Sequence, residues 1–386
     1  MKIGILTQPL KTNYGGLLQN YALQQVLIRA GHTPITIDQG DKCFPKWYIL
    51  LSQIKWNILH IISPSRYPKP VISNEIPSEE ELTYILQNCL YFIDKYISHT
   101  PKCRMPKDFR KYSKKYDIDA FVVGSDQCWR PIYNVFLPEM FLSFVKDKHM
   151  KRIAYAASFG TDKWEMTPEM TEICSSLAQK FGLVTVREDT GVELCRKCLK
   201  VEATKVLDPT MLLTKEDYIH LIEAENEQQS KGTLFTYILD PTPTKDNLIN
   251  RIADNIDLTQ FTVLPKYQSE IRSMDDIHHN IEDCVYPHVT TWLRAFIDAK
   301  MVIVDSFHGM VFSIIFNKPF WVIGNAKRGM SRFTSLLKLF SLENRLLDVD
   351  KLGNVDWNCP IDWNKVNSIL DAERIKSTEL LINALK

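Results

Sequence analysis

Short apolar segments, each followed by a polar loop and then by a helical pattern, recur along most of the chain. Residues 2–7 form the first such segment, residues 17–27 then place apolar side chains at helical spacing up to Gly31, and residues 34–38 form the next segment. Two strands that are joined through a helix run parallel to each other. The alternation therefore predicts a parallel sheet that is covered by helices on both faces.

The alternation occurs in two series, and 386 residues are enough for two hydrophobic cores. We predict strands at residues 2–7, 34–38, 120–124, 153–157, 183–186 and 205–207, and then at 234–239, 261–264, 301–304 and 320–323. The predicted fold is α/β, with two doubly wound Rossmann-like domains that face each other across a cleft. The N-terminal domain covers 1–207 and the C-terminal domain covers 208–386, with the option that a final helix at about 363–385 crosses back.

Residues 41–116 interrupt the first series with a stretch that is rich in Pro, Lys and aromatic residues and lacks strand alternation. We predict a helical insertion here. Within it, residues 47–62 have the pattern of an amphipathic helix, which either packs on the domain, as we favour, or makes a peripheral membrane contact. The chain begins with a strand pattern and has no run of eighteen apolar residues, so we expect a cytoplasmic protein, with a location at the inner face of the membrane left open.

Composition argues against some partners. The chain has 47 Lys and Arg against 46 Asp and Glu, a net charge of +1, so we expect no nucleic-acid partner. The nine Cys show no regular spacing, and Cys195 and Cys198 lie in a helical pattern, so we interpret them as reduced structural thiols. We see no cluster of metal ligands and expect no metal and no cofactor. The sequence carries no signal for a particular oligomeric state.

The motif Asp305-Ser306-Phe307-His308-Gly309 follows the apolar segment 301–304 and precedes a helical pattern. At such a junction, backbone donors and a helix N-terminus meet an anionic ligand. An imidazole exchanges protons near neutral pH, so His308 is a candidate general acid. The alternative is that His308 only caps its own helix.

A group of basic residues follows this motif in the sequence, at Lys318, Lys327, Arg328 and Arg332. Together with His308 they predict a cationic rim for a small substrate that carries phosphate and carboxylate groups. The alternative is an ordinary solvated surface, since exposed Lys and Arg are common.

Polar loops also follow strands of the first series, at residues 124–129 and 158–162. Their Ser, Asp, Gln and Trp side chains suit a hydroxyl-rich ligand, because carboxylates and amides bind hydroxyl groups and an indole covers the apolar face of a sugar ring. Turns that merely cap helices are the alternative. Arg187 follows the strand at 183–186 and points to the same edge, unless it pairs with a neighbouring acid.

Taken in order, these loops resemble the polysaccharide pyruvyl transferase family. The matching stretches are Asn13-Tyr14-Gly15-Gly16 with Gln19, Gly124-Ser125-Asp126-Gln127 with Trp129, Ala157-Ser158-Phe159-Gly160, Val186-Arg187-Glu188, Asp208-Pro209-Thr210, Asp305-Ser306-Phe307-His308-Gly309 with Phe316-Asn317-Lys318-Pro319, and Ser331-Arg332-Phe333. They span residues 2 to about 340.

The resemblance implies a fold like that of the GT-B glycosyltransferases, with phosphoenolpyruvate as donor and co-substrate. It implies a sugar hydroxyl of a surface or capsular polysaccharide precursor, free or as a lipid-linked oligosaccharide, as acceptor. The donor would bind in the C-terminal domain and the acceptor in the N-terminal domain. The family's catalytic His corresponds to His308 and its donor-binding Arg corresponds to Arg187.

The sequence departs from the family pattern at two positions. Many members have an Arg two residues before the His, where this chain has Ser306, so Lys318 and Arg332 are our candidates to hold the donor's anionic groups. Arg130 stands where an Asn is common after the Trp. The implied donor site is Arg187, Ser306, Gly309, Lys318 and Arg332. The implied acceptor site is Asn13, Tyr14, Gly15, Gln19, Ser125, Asp126, Gln127, Trp129, Ser158 and Asp162.

Two other functions stay open at this point. A glycosyltransferase that uses a nucleotide sugar has the same two-domain architecture, because fold does not decide function. A carbohydrate-binding subunit without enzymatic activity is the second alternative, and the Ser at position 306 favours it.

Overall fold

A computed structural model of the chain describes residues 1–40, 77–134, 136–268, 274–324, 329–349 and 355–386. The helix that we predict at 47–62 lies outside the described residues, as does the part of the insertion from 41 to 76. Lys327 and Arg328 of the predicted cationic rim are also outside them.

In the described part of the chain, the strands form one sheet of six and one of five, and every pairing is parallel. The first sheet has the order β2-β1-β3-β4-β5-β6 and consists of β1 (Lys2–Leu6), β2 (Thr33–Thr36), β3 (Ala120–Val123), β4 (Lys151–Ala157), β5 (Leu183–Val186) and β6 (Thr204–Lys205). The second sheet has the order β11-β10-β9-β7-β8 and consists of β7 (Leu234–Tyr237), β8 (Gln260–Phe261), β9 (Met301–Val304), β10 (Phe320–Ile323) and β11 (Leu346–Leu347).

Helices connect and cover these strands. They are α1 (Tyr14–Arg29), α2 (Glu79–Tyr96), α3 (Pro106–Lys115), α4 (Pro168–Ala178), α5 (Asp189–Leu194), α6 (Lys215–Ala224), α7 (Pro243–Ile256), α8 (Met274–Asn280), α9 (Val289–Asp298), α10 (Phe307–Ile315), α11 (Ser331–Phe340) and α12 (Trp363–Leu385). The prediction of an α/β protein with two Rossmann-like domains is confirmed. Helices α2 and α3 are the described part of the predicted insertion.

Each sheet is buried on both faces, because successive side chains of a strand point to opposite sides. In β3, Val122 belongs to one apolar cluster and its neighbours Phe121 and Val123 belong to another. In β9, Val302 and Ile303 are divided between two clusters in the same way. Continuous apolar strands of this kind are typical of a parallel sheet that lies between two layers of helices.

One apolar cluster extends across both sheets. It contains Ile5 of β1 and Leu17 of α1, and also Tyr237 of β7 and Trp292 of α9. The two sheets therefore share a buried layer, and they are not separated by an open cleft along their whole length.

Helix α12 contacts the first sheet and the segment that follows it. Lys151 Nζ donates a hydrogen bond to the Leu385 carbonyl (2.8 Å) and Leu207 N donates to Ser377 Oγ (3.1 Å). Arg374 Nε donates to the Met211 carbonyl (2.9 Å). The last helix thus lies against the domain in which the chain begins. No helix among the described residues is long and apolar enough to cross a bilayer.

The segment with Cys195 and Cys198 is helical, as predicted from its pattern. Helix α5 continues into a π-helical turn at Cys195–Leu199, and Cys195 is fully buried. Burial raises the pKa of the Cys195 thiol well above its usual range. Such a thiol is unreactive, so the structural interpretation of this pair fits its surroundings.

Candidate functional site

The strand order of each sheet reverses at one place, between β1 and β3 in the first sheet and between β7 and β9 in the second. Loops at the carboxyl ends of such neighbouring strands lead to opposite faces and leave a crevice for a ligand. Those four loops contribute Asn13, Asp126, Leu239 and Ser306 to a single pocket. The pocket therefore joins the switch points of both sheets.

The pocket is small and mostly polar. Its volume is about 60 Å³, which is space for a few water molecules. It is lined by Asn13, Gly15, Asp126, Gln127, Tyr237, Leu239, Asp305, Ser306, Phe307, His308, Arg332 and Phe333. Both domains contribute to it, as predicted from the loops at the strand ends.

His308 is the second residue of α10 and is only 7% exposed. Ser306 Oγ accepts a hydrogen bond from Gly309 N (3.0 Å), so Ser306 caps this helix, and the alternative that His308 caps it is wrong. The imidazole packs on the first turn of α1, where a Cβ on Gly15 would lie 2.0 Å from His308 Nδ1. Within the described residues, His308 Nε2 has no hydrogen-bond partner.

Asp208 faces this imidazole, with Oδ2 at 3.7 Å from His308 Nε2. Its Oδ1 accepts from Thr210 N (3.1 Å) and Thr210 Oγ1 (2.8 Å), and its Oδ2 accepts from Ser125 Oγ (2.9 Å) and Arg187 Nη1 (2.8 Å). Burial alone would raise the pKa of Asp208, but His308, Arg187 and the Thr210 backbone hold it far below its usual range. Asp208 is therefore a fixed negative charge beside the imidazole.

Arg187 is fully buried between two carboxylates. Its Nη1 donates to Asp208 Oδ2 (2.8 Å) and its Nη2 donates to Asp126 Oδ1 (2.7 Å). The guanidinium also lies 4.5 Å from the centroid of the Phe307 ring. Burial would lower the pKa of Arg187, but Asp126, Asp208 and Glu188 raise it. Arg187 thus behaves as a constant cation whose hydrogen bonds hold the site together, and it does not itself line the pocket.

Arg332, near the start of α11, does line the pocket. Its Nη1 is 3.9 Å from Asp126 Oδ1, and its guanidinium lies 5.6 Å from the Phe307 ring, on which Arg187 also packs. Burial, with a contribution from the neighbouring Arg187, lowers the pKa of Arg332 to about 10. Arg332 is therefore still charged at neutral pH, in a position where it can contact an anionic ligand.

Asp305 connects the loop after β9, in which it lies, to the loop after β7. Its carboxylate accepts from Leu239 N (2.7 Å), Asp240 N (3.1 Å) and Lys245 Nζ (2.6 Å). This contact fixes the loop after β7 against the start of α10, and so positions the backbone around His308.

Some of the predicted donor residues are in the pocket and others are not. Ser306 lines it and Gly309 packs under it, because a Cβ on Gly309 would lie 2.7 Å from Ser306 Oγ. Lys318, which we predict for the donor site, does not line the pocket, and this corrects our prediction. It lies beyond the other end of α10, where its Nζ donates to the carbonyls of Ile297 (2.7 Å) and Ala299 (2.9 Å). At about 1.5 Å per helical residue, it is about 15 Å from His308.

Of the predicted acceptor residues, Asn13, Gly15, Asp126 and Gln127 line the pocket. Asn13 caps α1 through Gly16 N and donates to Asp126 Oδ2 (3.0 Å), so this predicted loop both caps a helix and faces the pocket. For Asn13, capping of a helix and contact with the pocket occur together.

Trp129 and Tyr14, the aromatic residues that we predict for the sugar-acceptor site, do not line the pocket. Trp129 is fully buried, stacks on Phe141 at 4.7 Å and donates from Nε1 to the Met140 carbonyl, because a large apolar ring next to a strand gains more from the core than from solvent. Tyr14 is also buried and its hydroxyl donates to the Pro287 carbonyl (2.7 Å). Neither ring is available to a sugar.

Three polar residues that we predict for the sugar-acceptor site do not line the pocket and instead form hydrogen bonds with the residues around it. Gln19 Oε1 accepts from Ser125 N (2.9 Å), and Ser125 Oγ reaches Asp208. Ser158 Oγ donates to Glu188 Oε1 (2.8 Å). Burial raises the pKa of Glu188, although Arg187, Arg332 and Ser158 act in the opposite direction. Asp162 is exposed and does not line the pocket.

The sequence does not single out one exposed aromatic residue near the pocket, Tyr133. Tyr133 is 41% exposed, and the guanidinium of Arg130 lies 5.3 Å from its ring centroid. Arg130 pairs with both oxygens of Glu165 (2.9 Å each) and donates to Gln127 Oε1 (3.1 Å). Gln127 and Arg332 line the pocket, and Tyr133 lies close enough to Arg332 to raise its pKa, so Tyr133 is near the pocket. Tyr133 follows Trp129 and Arg130 closely in the sequence, and this closeness is the signal that could have identified Tyr133.

Among the described residues, no three His, Cys, Asp or Glu side chains are grouped as metal ligands would be. Our expectation that no metal takes part stays a prediction, since the grouping concerns only these ranges.

Comparisons with known proteins support the architecture and the family resemblance. The model of the polysaccharide pyruvyl transferase family matches residues 13–327 of the chain. No curated protein matches the chain. Two similar solved structures are Arabidopsis thaliana UGT89C1 complexed with UDP-L-rhamnose (TM-score 0.52, 9% identity, 99% of this chain and 98% of that chain covered) and Methanocaldococcus jannaschii UDP-GlcNAc 2-epimerase in complex with UDP-GlcNAc and UDP (TM-score 0.51, 10% identity, 100% and 99% covered). At such low identity they establish the GT-B-like fold alone.

Proposed function

Because the chain belongs to the polysaccharide pyruvyl transferase family, we propose that it transfers the enolpyruvyl unit of phosphoenolpyruvate to sugar hydroxyls of a surface or capsular polysaccharide precursor. The product is a pyruvate ketal and the leaving group is phosphate. The observation that carries the proposal is the position of His308, a buried imidazole whose Nε2 has no hydrogen-bond partner among the described residues, in the pocket that joins the two switch points.

The chemistry requires a proton donor beside the donor molecule. Protonation of the methylene carbon of phosphoenolpyruvate makes the central carbon an oxocarbenium-like electrophile, which a sugar hydroxyl attacks. Phosphate then leaves with the electron pair of its bond to that carbon, and a second hydroxyl of the same sugar closes the cyclic ketal. His308 delivers the first proton and recovers one from the first hydroxyl, so it acts as general acid and then as base. The departing phosphate takes up the proton of the second hydroxyl.

In this proposal the donor's anionic groups lie between Arg332 and the N-termini of the helices that meet at the pocket. Asn13 caps α1 and Ser306 caps α10, and their first turns direct backbone N–H groups and the positive end of each helix toward the pocket. Arg332 adds a full charge at the start of α11 and stabilises the departing phosphate. Arg187 has a positioning role, because its hydrogen bonds already go to Asp126 and Asp208.

The acceptor approaches from the N-terminal domain in this proposal, past Gln127 and Tyr133. The amide of Gln127 suits a hydroxyl group and the exposed face of Tyr133 suits the apolar face of a sugar ring. The pocket has a volume of only about 60 Å³, so a sugar and a phosphorylated acid would extend beyond it. We propose no bound cofactor and no metal, and place the reaction in the cytoplasm with a sugar or a lipid-linked oligosaccharide as acceptor.

Thermal unfolding with candidate donors tests this function. A ligand at a hundred times its dissociation constant stabilises the folded protein by about 2.7 kcal/mol, so phosphoenolpyruvate should raise Tm clearly and inorganic phosphate should raise it less. Phosphate release from phosphoenolpyruvate should then require a sugar acceptor.

Other outcomes would favour the alternatives. Stabilisation by a nucleotide diphosphate sugar but not by phosphoenolpyruvate would indicate a glycosyltransferase. Binding of saccharide without phosphate release in the presence of phosphoenolpyruvate would indicate a carbohydrate-binding subunit.

A further inference from the structure

The outward side of helix α3 is a continuous basic surface. Lys107, Arg110, Lys111 and Lys114 are all exposed, and their spacing of three and four residues places them on one face of the helix. The opposite face is apolar, with Phe109 buried at 5.7 Å from Phe136. We call the four cations the basic face.

The charge of this segment differs from that of the rest of the chain. Residues 102–115 contain seven Lys and Arg and a single acid, whereas the whole chain has 47 basic and 46 acidic residues, so the remainder is net negative. The acid, Asp108, is used as a cap and accepts from Arg104 N (3.0 Å) and Met105 N (2.9 Å). Within the ranges that the structure describes, none of the seven cations forms an ion pair.

The cations of the basic face differ in their effect on the helix. Lys107 lies in the first turn of α3, where a cation is unfavourable because the N-terminus of a helix carries a partial positive charge, whereas Lys114 lies in the last turn, where a cation is favourable. Seven like charges in fourteen residues also repel one another. A cluster of like charges that repel one another and have no acidic partner in the described structure suits an external anionic surface.

The amino end of the basic face lies at the same sheet edge as the pocket. Just before α3, Cys103 N donates to the Asp38 carbonyl (2.7 Å), beyond the carboxyl end of β2. Next to it, Gln39 Nε2 donates to Asn134 Oδ1 (3.1 Å), and Asn134 Nδ2 donates to the carbonyl of Gln127, which lines the pocket (2.9 Å). The basic face is therefore connected through hydrogen bonds to the acceptor side of the pocket.

We propose that the basic face docks on the anionic headgroups of a membrane surface and so holds the acceptor side of the pocket next to lipid-linked substrate. Met105, 51% exposed beside Lys107, favours a lipid surface over a nucleic acid, because a bilayer has an apolar layer beneath its headgroups that a thioether side chain can enter. Docking on a membrane surface goes beyond the proposed function. Only the statement that the substrate is lipid-linked rests on the proposed function.

Co-sedimentation with vesicles tests the docking. Each Lys or Arg near an anionic surface strengthens binding about fivefold, so the variant with Lys107→Gln, Arg110→Gln, Lys111→Gln and Lys114→Gln should bind several hundred-fold more weakly, as an order of magnitude. The vesicles are phosphatidylcholine alone and phosphatidylcholine with phosphatidylglycerol, each at low and high salt. We expect the wild-type chain to bind only the anionic vesicles, and less at high salt, because salt screens these charges.

The matched control replaces four other exposed lysines by Gln. Lys146, Lys148, Lys180 and Lys300 lie near the amino ends of strands, at the opposite edge from the pocket. The control variant should bind the anionic vesicles like the wild-type chain. Circular dichroism and Tm of both variants should match the wild-type chain, since all eight side chains are exposed.

Three results would overturn the docking. They are a wild-type chain that ignores anionic vesicles, equal loss of binding in both variants, and binding to duplex DNA without binding to the vesicles, which would assign the face to nucleic acid. Pyruvyl transfer to a soluble sugar is measured separately in all three proteins. If vesicle binding follows the basic face but no transfer occurs, the proposed function fails and the docking stands.

Discussion

At the scale of single residues, Asp208 connects the parts of the site. One carboxylate oxygen accepts from Thr210, and the other accepts from Ser125 and Arg187 and faces His308 at 3.7 Å. Asp208 lies after β6 at the predicted domain boundary, and its contacts with Ser125 and His308 place it between the two sheets. Asp208 therefore keeps a negative charge next to the imidazole that delivers a proton in the proposed mechanism.

Replacement of Asp208 by Asn tests this positioning role. The Asn side chain has nearly the same shape and so preserves the packing, but the substitution removes the charge that faces His308 and Arg187. We expect kcat to fall by about tenfold or more, with KM for phosphoenolpyruvate changed less than about threefold, because proton delivery by a general acid contributes about 10²- to 10⁴-fold. Steady-state kinetics with both substrates measures the split.

The control for that variant is Thr210→Val, which removes a hydrogen bond to the other oxygen, Asp208 Oδ1. Both variants should lose stability, but only Asp208→Asn should lose most of its kcat. Equal losses of kcat in the two variants would reduce Asp208 to a structural residue.

Gly15 gives a second residue-scale prediction. Ala is the better helix former, so helix propensity alone predicts that Gly15→Ala stabilises α1 by about 0.5–1 kcal/mol. The structure predicts the opposite, because the new Cβ would lie 2.0 Å from His308 Nδ1. We expect Gly15→Ala to displace the imidazole, to lower kcat at least about tenfold and to cost about 1–3 kcal/mol of stability, as overpacking does.

Gly182→Ala is the matched control, since an added Cβ there meets no atom closer than the Arg152 carbonyl at 3.9 Å. Activity and Tm are measured for both variants. A Gly15→Ala protein with the kcat of the wild-type chain would contradict the packing of the imidazole on α1.

At the scale of elements, the site consists of loops at the carboxyl ends of strands, and those loops could be found in the sequence. β3 and β9 are runs of buried apolar residues, and the polar residues that follow them, Asp126 and His308, stood out for that reason. The partners of Asp208 come from positions 125, 187 and 210, and no local pattern predicts such contacts. Lys318 follows the helical pattern that begins after the His308 motif, so its place at the far end of α10 agrees with the sequence, and its charge alone was a poor guide to the donor site.

Contacts between separate segments also determine where the short strands form and which aromatic residues are buried. β11 has two residues and gains its structure from pairing with β10, which a periodicity of two residues cannot reveal. Trp129 and Tyr133 are close in the sequence, and either ring suits a sugar. Which one is buried depends on the packing of Trp129 against Phe141, a contact between separate segments.

The turn that carries Tyr133 yields a prediction for the acceptor. Tyr133→Ala should raise KM for the sugar acceptor by a few-fold to about tenfold, because an aromatic contact contributes about 0.5–1.5 kcal/mol. KM for phosphoenolpyruvate should change less, and to the same extent in Tyr133→Ala and Tyr133→Phe, because the Tyr133 hydroxyl acts on the charge of Arg332 and both variants lack it. Tyr133→Phe keeps the ring and serves as control. If Tyr133→Ala has the acceptor KM of Tyr133→Phe, the acceptor does not use this ring.

At the scale of the whole molecule, the two sheets share an apolar layer, and buried charges connect the domains within it. Asp126 of the first domain lies near Arg332 of the second, and Asp208 near His308. Leu385 and Ser377 of the final helix also accept hydrogen bonds from Lys151 and Leu207 of the first domain. We therefore expect the domains to unfold together, in one transition.

These charges make stability depend on pH in a defined direction. Burial would raise the pKa of Asp126, but Arg187, His308 and Arg332 lower it below its usual value. A carboxyl with a lowered pKa stabilises the folded state above its unfolded pKa of about 3.9 and loses that contribution as pH falls through its folded pKa. The destabilisation caused by Asp126→Asn should therefore be largest near neutral pH and shrink below about pH 4.

Glu188 should behave in the opposite way. Burial raises its pKa, so its contribution is present at low pH and is lost as pH rises through the folded pKa. Relative to that of the wild-type chain, the free energy of unfolding of Glu188→Gln should increase as pH rises. Denaturant unfolding across pH measures both variants, and parallel curves for the two would contradict the assigned directions.

The central claim is that His308 delivers the proton in transfer of a pyruvyl unit. Its most direct test is mass spectrometry of lipid-linked oligosaccharides after incubation with phosphoenolpyruvate and either the wild-type chain or His308→Ala, whose Tm shows that it is folded. We predict that the wild-type chain adds one pyruvyl ketal and releases one phosphate for each ketal, and that His308→Ala is slower by about 10²- to 10⁴-fold. Absence of the ketal with the wild-type chain, or a His308→Ala rate within about threefold of it, would contradict the claim.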